Sequence, residues 1–154
     1  MKMFQRILMA TDFSPASTPA LEQSVKLAKR DGALLLIAHA YQEPGLVELS
    51  HAPARFFEQW NQALREAVER KLRPLVDYAR KEGVEAQALL LTGFADEAIV
   101  EAARQQGADL IVIGTHGRVG AARLFLGSVA SRVISTAPCP VMTVRSAERE
   151  GGRS

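Results

Sequence analysis

The sequence predicts an α/β fold, a five-stranded parallel sheet with helices on both faces. Three observations carry that expectation. Short apolar runs of strand length alternate along the chain with longer segments of helical spacing. Glycines at 32, 83 and 107 fall where the helical segments stop, the place a left-handed cap is needed. The resulting strand–helix alternation then demands crossover connections between parallel strands.

The first strand is expected over Phe4–Ala10, ending at Thr11-Asp12-Phe13-Ser14-Pro15. Ser14-Pro15 and Thr18-Pro19 each place a capping residue before a proline suited to a first helical turn. Pro19 is awkward deep in a helix begun at Pro15, so the regular helix is expected after it, up to Gly32. Ala33–Ala40 has the length and composition of a second, buried strand. Tyr41–Pro53 carries Pro44, Gly45, Ser50 and Pro53 and reads as a loop. From Phe56 to Arg80, Trp60, Leu64, Ala67, Val68, Leu72, Leu75, Val76 and Ala79 make a helical stripe. Pro74 within it is expected to kink that helix or split it in two.

Val84–Leu91, more polar at its start, suits an edge strand. Ala98, Ile99, Ala102 and Ala103 then mark a helix that Gly107 terminates. Ala108–Ile113 is a fourth strand, apolar enough to be buried on both faces. A last helix with Val129, Ala130, Val133, Ile134 and Ala137 on one face precedes a fifth strand at Val141–Val144. Residues 1–146 are expected to form one domain, and 147–154 a flexible polar tail.

Bulk properties narrow the function classes. At 154 residues the chain is long enough to bury a core. A net charge of +2 and 6% aromatic content argue against a nucleic-acid partner. One cysteine, Cys139, excludes an internal disulfide and a cysteine-based zinc cluster, in keeping with a reducing cytoplasm. No apolar run is long enough to span a membrane, and Met1–Arg6 lead straight into a strand pattern.

The most informative stretch is Gly114-Thr115-His116-Gly117, nine residues, then Gly127-Ser128. A glycine-bearing loop between a strand and a helix start is suited to holding anions. Its N–H groups converge, glycines allow close approach, and the helix end carries about half a positive charge. Ser128 can donate to a phosphate or cap the backbone. Glycines near a strand end also make ordinary turns, and Asp12 has an equally plain use as a turn cap. In a doubly wound sheet, ligands bind beyond the carboxyl ends of strands where the winding reverses. Should strands one and four flank that point, Asp12 and the glycine loop share one crevice.

These residues resemble the universal stress protein family along nearly the whole chain. The resemblance includes Ile7-Leu8-Met9-Ala10-Thr11-Asp12-Phe13-Ser14, Gly127-Ser128-Val129-Ala130 and Ala137-Pro138-Cys139-Pro140-Val141-Met142-Thr143-Val144. It implies a Rossmann-like fold of the adenine nucleotide alpha hydrolase-like kind, and the full glycine-and-serine pattern implies the ATP-binding type. Carried over by position, Ala10 and Ala40 would lie beside ribose and adenine. Asp12 would approach the nucleotide or a magnesium ion bridging its phosphates. Gly114 would border the ribose, and Thr115, His116, Gly117 and Arg118 would wrap the phosphates. Gly127, Ser128 and Val129 would close the cradle. The resemblance also implies a homodimer paired through Val141, Met142, Thr143 and Val144 of the last strand. One departure is local: Ala95 stands where the family usually opens its third helix with proline.

The expected function is that of a cytoplasmic, ATP-binding regulator in stress response. Hydrolysis is expected to be slow at most, since the sequence offers phosphate cradling without a clear base to orient water. The competing expectation is a homodimeric interaction module in which nucleotide is incidental. A phospho-accepting receiver needs an aspartate where Leu91-Thr92-Gly93 stands, and no Gly-x-x-x-x-Gly-Lys-Ser/Thr occurs.

Overall fold

A computed structural model describes residues 2–43, 51, 53–115 and 127–146. The expected loop residues 44–50 and 52, and the expected tail 147–154, lie outside them. The described elements are β1 (Arg6–Ala10), a 3-10 turn (Pro15–Ser17), α1 (Thr18–Asp31), β2 (Leu34–Tyr41), α2 (Ala54–Lys81), β3 (Ala86–Thr92), α3 (Ala95–Gln106), β4 (Leu110–Thr115), α4 (Ser128–Thr136) and β5 (Val141–Arg145). The strands form one parallel sheet in the order β3-β2-β1-β4-β5. The expected α/β architecture is present, with β3 at an edge as its polarity implied.

The core lies in two apolar layers, one on each face of the sheet. Ile7, Met9, Leu35, Ile37 and Val112 point to the face covered by α1 and α2, against Leu21, Val25, Leu72 and Val76. Leu8, Ala38, Ile111 and Ile113 point to the other face, against Ile99 and Ala103 of α3 and Ala130 and Val133 of α4. This follows from the period of two in a strand buried on both sides. Ile7, Leu8 and Met9 are all fully buried, as are Ile111 and Val112.

Several local expectations are corrected. Of the two outcomes expected at Pro74, a kink or a split, the split does not occur, since Ala54–Lys81 is continuous through it. Pro74 is exposed, so the Arg70 carbonyl that loses its amide partner lies on the water side. Trp60 is 60% exposed, and burial along α2 begins only at Val68. Ile134 is 44% exposed, leaving Ala130 and Val133 as the buried residues of α4.

The two serine/threonine–proline starts are both used, in succession. Pro15 opens the 3-10 turn and Pro19 sits in the first turn of α1, yet neither helix start has a side-chain cap. Strand β1 begins at Arg6 rather than Phe4 because carboxylates claim the preceding amides. Asp31 accepts from Met3 N and Phe4 N at 3.2 and 2.9 Å. Asp109 accepts from Gln5 N and Arg6 N at 2.8 and 3.1 Å. The helices stop as expected at Gly32 and Gly107, with φ of 66° and 63°, a region glycine enters without a Cβ penalty.

Candidate functional site

The winding reverses between β1 and β4. From β1 the chain passes through α1 and α2, on one face, out to β3; it then returns through α3, on the other face, to β4. Beyond the carboxyl ends of these two neighbouring strands the connections diverge and leave a cleft of about 150 Å³.

Its floor is built from small side chains. Ala10 pairs with Ala38 on one side and Ile113 on the other, and Ala40 follows on β2. Ala95 and Ile99 of α3 close the apolar end. Alanines where a sheet usually carries valine or isoleucine leave room for a flat apolar group.

The opposite wall is the turn from Thr11 to Ser17, and it is polar. Thr11 N donates to Ala38 O at 2.9 Å, continuing the ladder one residue past β1. Phe13 then takes a left-handed conformation, φ 63°, uncommon for a bulky residue. Its amide donates to Thr11 Oγ1 at 3.0 Å, and its ring packs on His39 with centroids 4.4 Å apart. Lys71 of α2 places Nζ 5.5 Å from the same ring. His39 donates from Nδ1 to Thr11 O at 2.7 Å; a carbonyl only accepts, so that nitrogen carries the proton. The turn is thus tied to β2 and α2, and the exposed Asp12 is carried on a braced backbone. Asp12 Oδ1 accepts from Ser14 N at 2.9 Å, the turn-capping role that its position allowed.

The third side is the start of α4. Gly127 enters with φ −50° and ψ 151°, and the first intrahelical bond runs from Ser131 N to Gly127 O at 3.0 Å. The amides before Ser131 therefore have no intrahelical acceptor, and this end of the helix carries partial positive charge. Ser128 is exposed at its first position.

Of the residues singled out in the sequence, Ala10, Asp12, Ala40, Gly114, Gly127, Ser128 and Val129 all border the cleft. Thr115 does not. It is buried at the end of β4 opposite Arg145, with its hydroxyl 3.5 Å from Val144 O. His116, Gly117 and Arg118 lie outside the described residues.

Glycine at 114 also has a packing reason that the sequence did not show. A Cβ there would stand 2.8 Å from Ala16 O and 3.3 Å from Ser17 Cα. Glycine lets β4 abut the 3-10 turn, and so sets the width of the cleft. Sequence reasoning passed over Thr11, Ser14 and Ser17 as members of the wall. The available signal was three hydroxyl residues at three-residue spacing directly after a strand.

Among the described residues, no three histidine, cysteine or acidic side chains group as a metal site, and no helix is long and apolar enough to cross a membrane. Asp12 is a single hard-oxygen donor, a set that suits magnesium held mainly by phosphate and water.

Comparison with known proteins bears on this cleft. The model of the universal stress protein family matches residues 3–145. A universal stress protein of Thermus aquaticus is 41% identical over 144 residues, covering 93% of this chain and 100% of the relative. The crystal structure of a universal stress protein in complex with cAMP superimposes with a TM-score of 0.68 at 26% identity, covering 94% of this chain and 98% of that one. The Archaeoglobus fulgidus universal stress protein in complex with dAMP gives a TM-score of 0.66 at 27% identity, covering 92% and 98%.

Proposed function

This chain belongs to the universal stress protein family, and from that premise we propose that its cleft binds ATP and that the protein acts as a nucleotide-dependent regulator in stress response. The observation that carries the reading is the convergence of Ala10, Asp12, Gly114 and the start of α4 on one cleft where the winding reverses. Two similar structures, described as complexes with cAMP and dAMP, support an adenine nucleotide as the ligand class.

In this reading the alanine floor and Ile99 receive the base. The backbone at Ala10 and Ala40 and at Gly114 borders base and ribose. Gly127, Ser128 and Val129 offer N–H and hydroxyl donors to phosphate, joined by the sequence-assigned His116, Gly117 and Arg118, whereas Thr115 is left out because its hydroxyl is turned to Val144 O. Magnesium bound with ATP would neutralise phosphate charge, and Asp12 would be the carboxylate that approaches it. Turnover is expected to be slow at most, because the sequence pattern supplies phosphate cradling without a clear base to orient water.

The test is gentle purification, denaturation and analysis of released nucleotide, followed by calorimetric titration of the stripped protein. Expected is co-purified adenine nucleotide, or magnesium-dependent ATP binding tighter than about 100 μM, roughly 5–6 kcal/mol. Absence of nucleotide together with no heat at millimolar ATP overturns the reading.

A second reading concerns assembly. Strand β5 is an edge of the sheet, with Thr143 exposed on it. We infer that Val141, Met142, Thr143 and Val144 pair with the same strand of a second copy, in the cytoplasm, as the family resemblance implies.

A further inference from the structure

Among the described residues, a buried hydroxyl of the cleft wall has no hydrogen-bond partner. Within the turn, Ser17 Oγ donates its hydrogen to Ser14 O at 2.7 Å. The 3.0 Å contact between Thr11 Oγ1 and Ser17 Oγ must therefore be donated by Thr11, whose oxygen in turn accepts from Phe13 N. The hydroxyls of Thr11 and Ser17 are thus both committed, in a fixed direction. Ser14 Oγ is not: it is buried and makes no hydrogen bond among the described residues.

The local backbone explains why. Ser14 stands before Pro15 at the head of the 3-10 turn, where a serine normally caps an amide two or three residues on. Here the amide three residues on, Ser17 N, already donates to Ser14 O at 3.0 Å. The Ser14 amide is held by Asp12 Oδ1 and its carbonyl by Ser17, so the backbone is pinned on both sides. Only χ1 is left, with three staggered wells. Ser14 is half-buried and borders the cleft, so χ1 is the one freedom through which its hydroxyl can meet a ligand there. A buried polar group in a folded protein is almost always satisfied, and one that is not calls for a partner.

We propose that Ser14 is a ligand-contacting residue whose hydroxyl turns into the cleft and donates to an oxygen of the bound nucleotide's sugar–phosphate. The assignment rests on the reading of the cleft as an adenine-nucleotide site. Asp12 stands two positions earlier on the same turn, and its Oδ1 accepts from the Ser14 amide, so a carboxylate and a hydroxyl are offered to one part of the ligand with complementary roles. The carboxylate accepts or meets magnesium, and the hydroxyl donates. The gain is specific to the bound state, because the unbound protein forgoes this hydrogen bond.

The test compares the wild-type chain with Ser14→Ala and Ser14→Cys by calorimetry against ATP, AMP and adenosine, together with the melting temperature of the stripped protein. Both variants are expected to lose about tenfold in affinity, equivalent to about 1.4 kcal/mol. The melting temperature of stripped Ser14→Ala is expected to hold or rise, because an unsatisfied hydroxyl is removed. Loss for ATP and AMP but not adenosine assigns the contact to a phosphoryl oxygen; equal loss for all three assigns it to the ribose. Unchanged affinity of a folded Ser14→Ala for all three ligands overturns the proposal while leaving the nucleotide reading intact. So does a lowered melting temperature in Ser14→Ala with wild-type behaviour in Ser14→Cys, which would make the side chain a packing element. No binding by the wild-type chain overturns both readings together.

Discussion

Asp31 shows how much one side chain organises. It is buried at the end of α1, with its carboxylate 2.7 Å from Arg30 Nε and in reach of the amides of Met3 and Phe4. The Arg30 hydrogen bond is the largest influence, and with the two amides it outweighs burial and holds the pKa at about 2 against an ordinary 3.8. A depressed carboxylate pKa means that the folded state binds its proton less readily than the unfolded chain. The stabilisation is therefore fully present above about pH 4 and is lost as the pH falls towards 2. Asp31→Asn is expected to be less stable than wild type at neutral pH, with the gap closing between pH 4 and pH 2. Urea denaturation of both proteins across that range measures it; a gap independent of pH would detach the N-terminal segment from this carboxylate. Cys139 behaves differently. Burial, aided by Asp109, raises its thiol pKa and keeps it protonated, as befits a small apolar filler between two prolines.

At the level of elements, the close approach of β4 to the 3-10 turn is the feature on which the cleft depends. Gly114→Ala would put a methyl 2.8 Å from the Ala16 carbonyl, and backbone has no rotamer with which to yield. The variant is expected to lose roughly 1–3 kcal/mol of stability and to bind nucleotide more weakly, because the displaced turn carries Asp12 and Ser14. Thermal melts and ATP titration together check this; an unperturbed melt would mean that the strand and turn can part without cost. The long helix α2 makes a related point. The split, one of the two outcomes expected at Pro74, does not occur because the proline faces water, whereas the buried stripe of Val68, Leu72, Val76 and Ala79 continues past it. Burial along one face outweighs a single missing hydrogen bond that solvent can replace.

For the whole molecule, the parallel sheet has two edges, β3 and β5, of opposite character. On β3, Gln87 and Ala88 are exposed, and Arg80 donates to the Ala86 carbonyl at 3.0 Å, blunting the start of that edge. On β5, Met142 and Val144 pack inward against the core while Thr143 and Arg145 face out. A dimer through β5 would therefore rest on backbone pairing beside Thr143 rather than on the valines and methionine. Light scattering is expected to return twice the mass of one chain, and a monomer mass at micromolar concentration would remove the dimer reading. Because Val144 belongs to the core, a charge placed there would report on folding as well as on pairing; Thr143 is the cleaner position to probe.

The sequence by itself determined the order of elements, the parallel sheet, the helix stops at Gly32 and Gly107, and the family. Each of these is written in local periodicity, in glycine placement or in contiguous motifs, which act over a few residues. It also pointed to seven residues that the fold gathers at one cleft, since strand ends and helix starts are themselves local signals. What only the tertiary structure decided depends on groups far apart in the chain. Asp109 sets where β1 begins, 103 residues from the Arg6 amide that it binds. The strand order places Gly114 against Ala16 and turns Thr115 towards β5. Ser14 looks like a cap in the sequence, and only the folded turn takes that amide away and leaves its hydroxyl without a partner among the described residues. A hydrogen bond is satisfied or orphaned by everything within about 3 Å of it, and that neighbourhood is assembled only when the chain closes on itself.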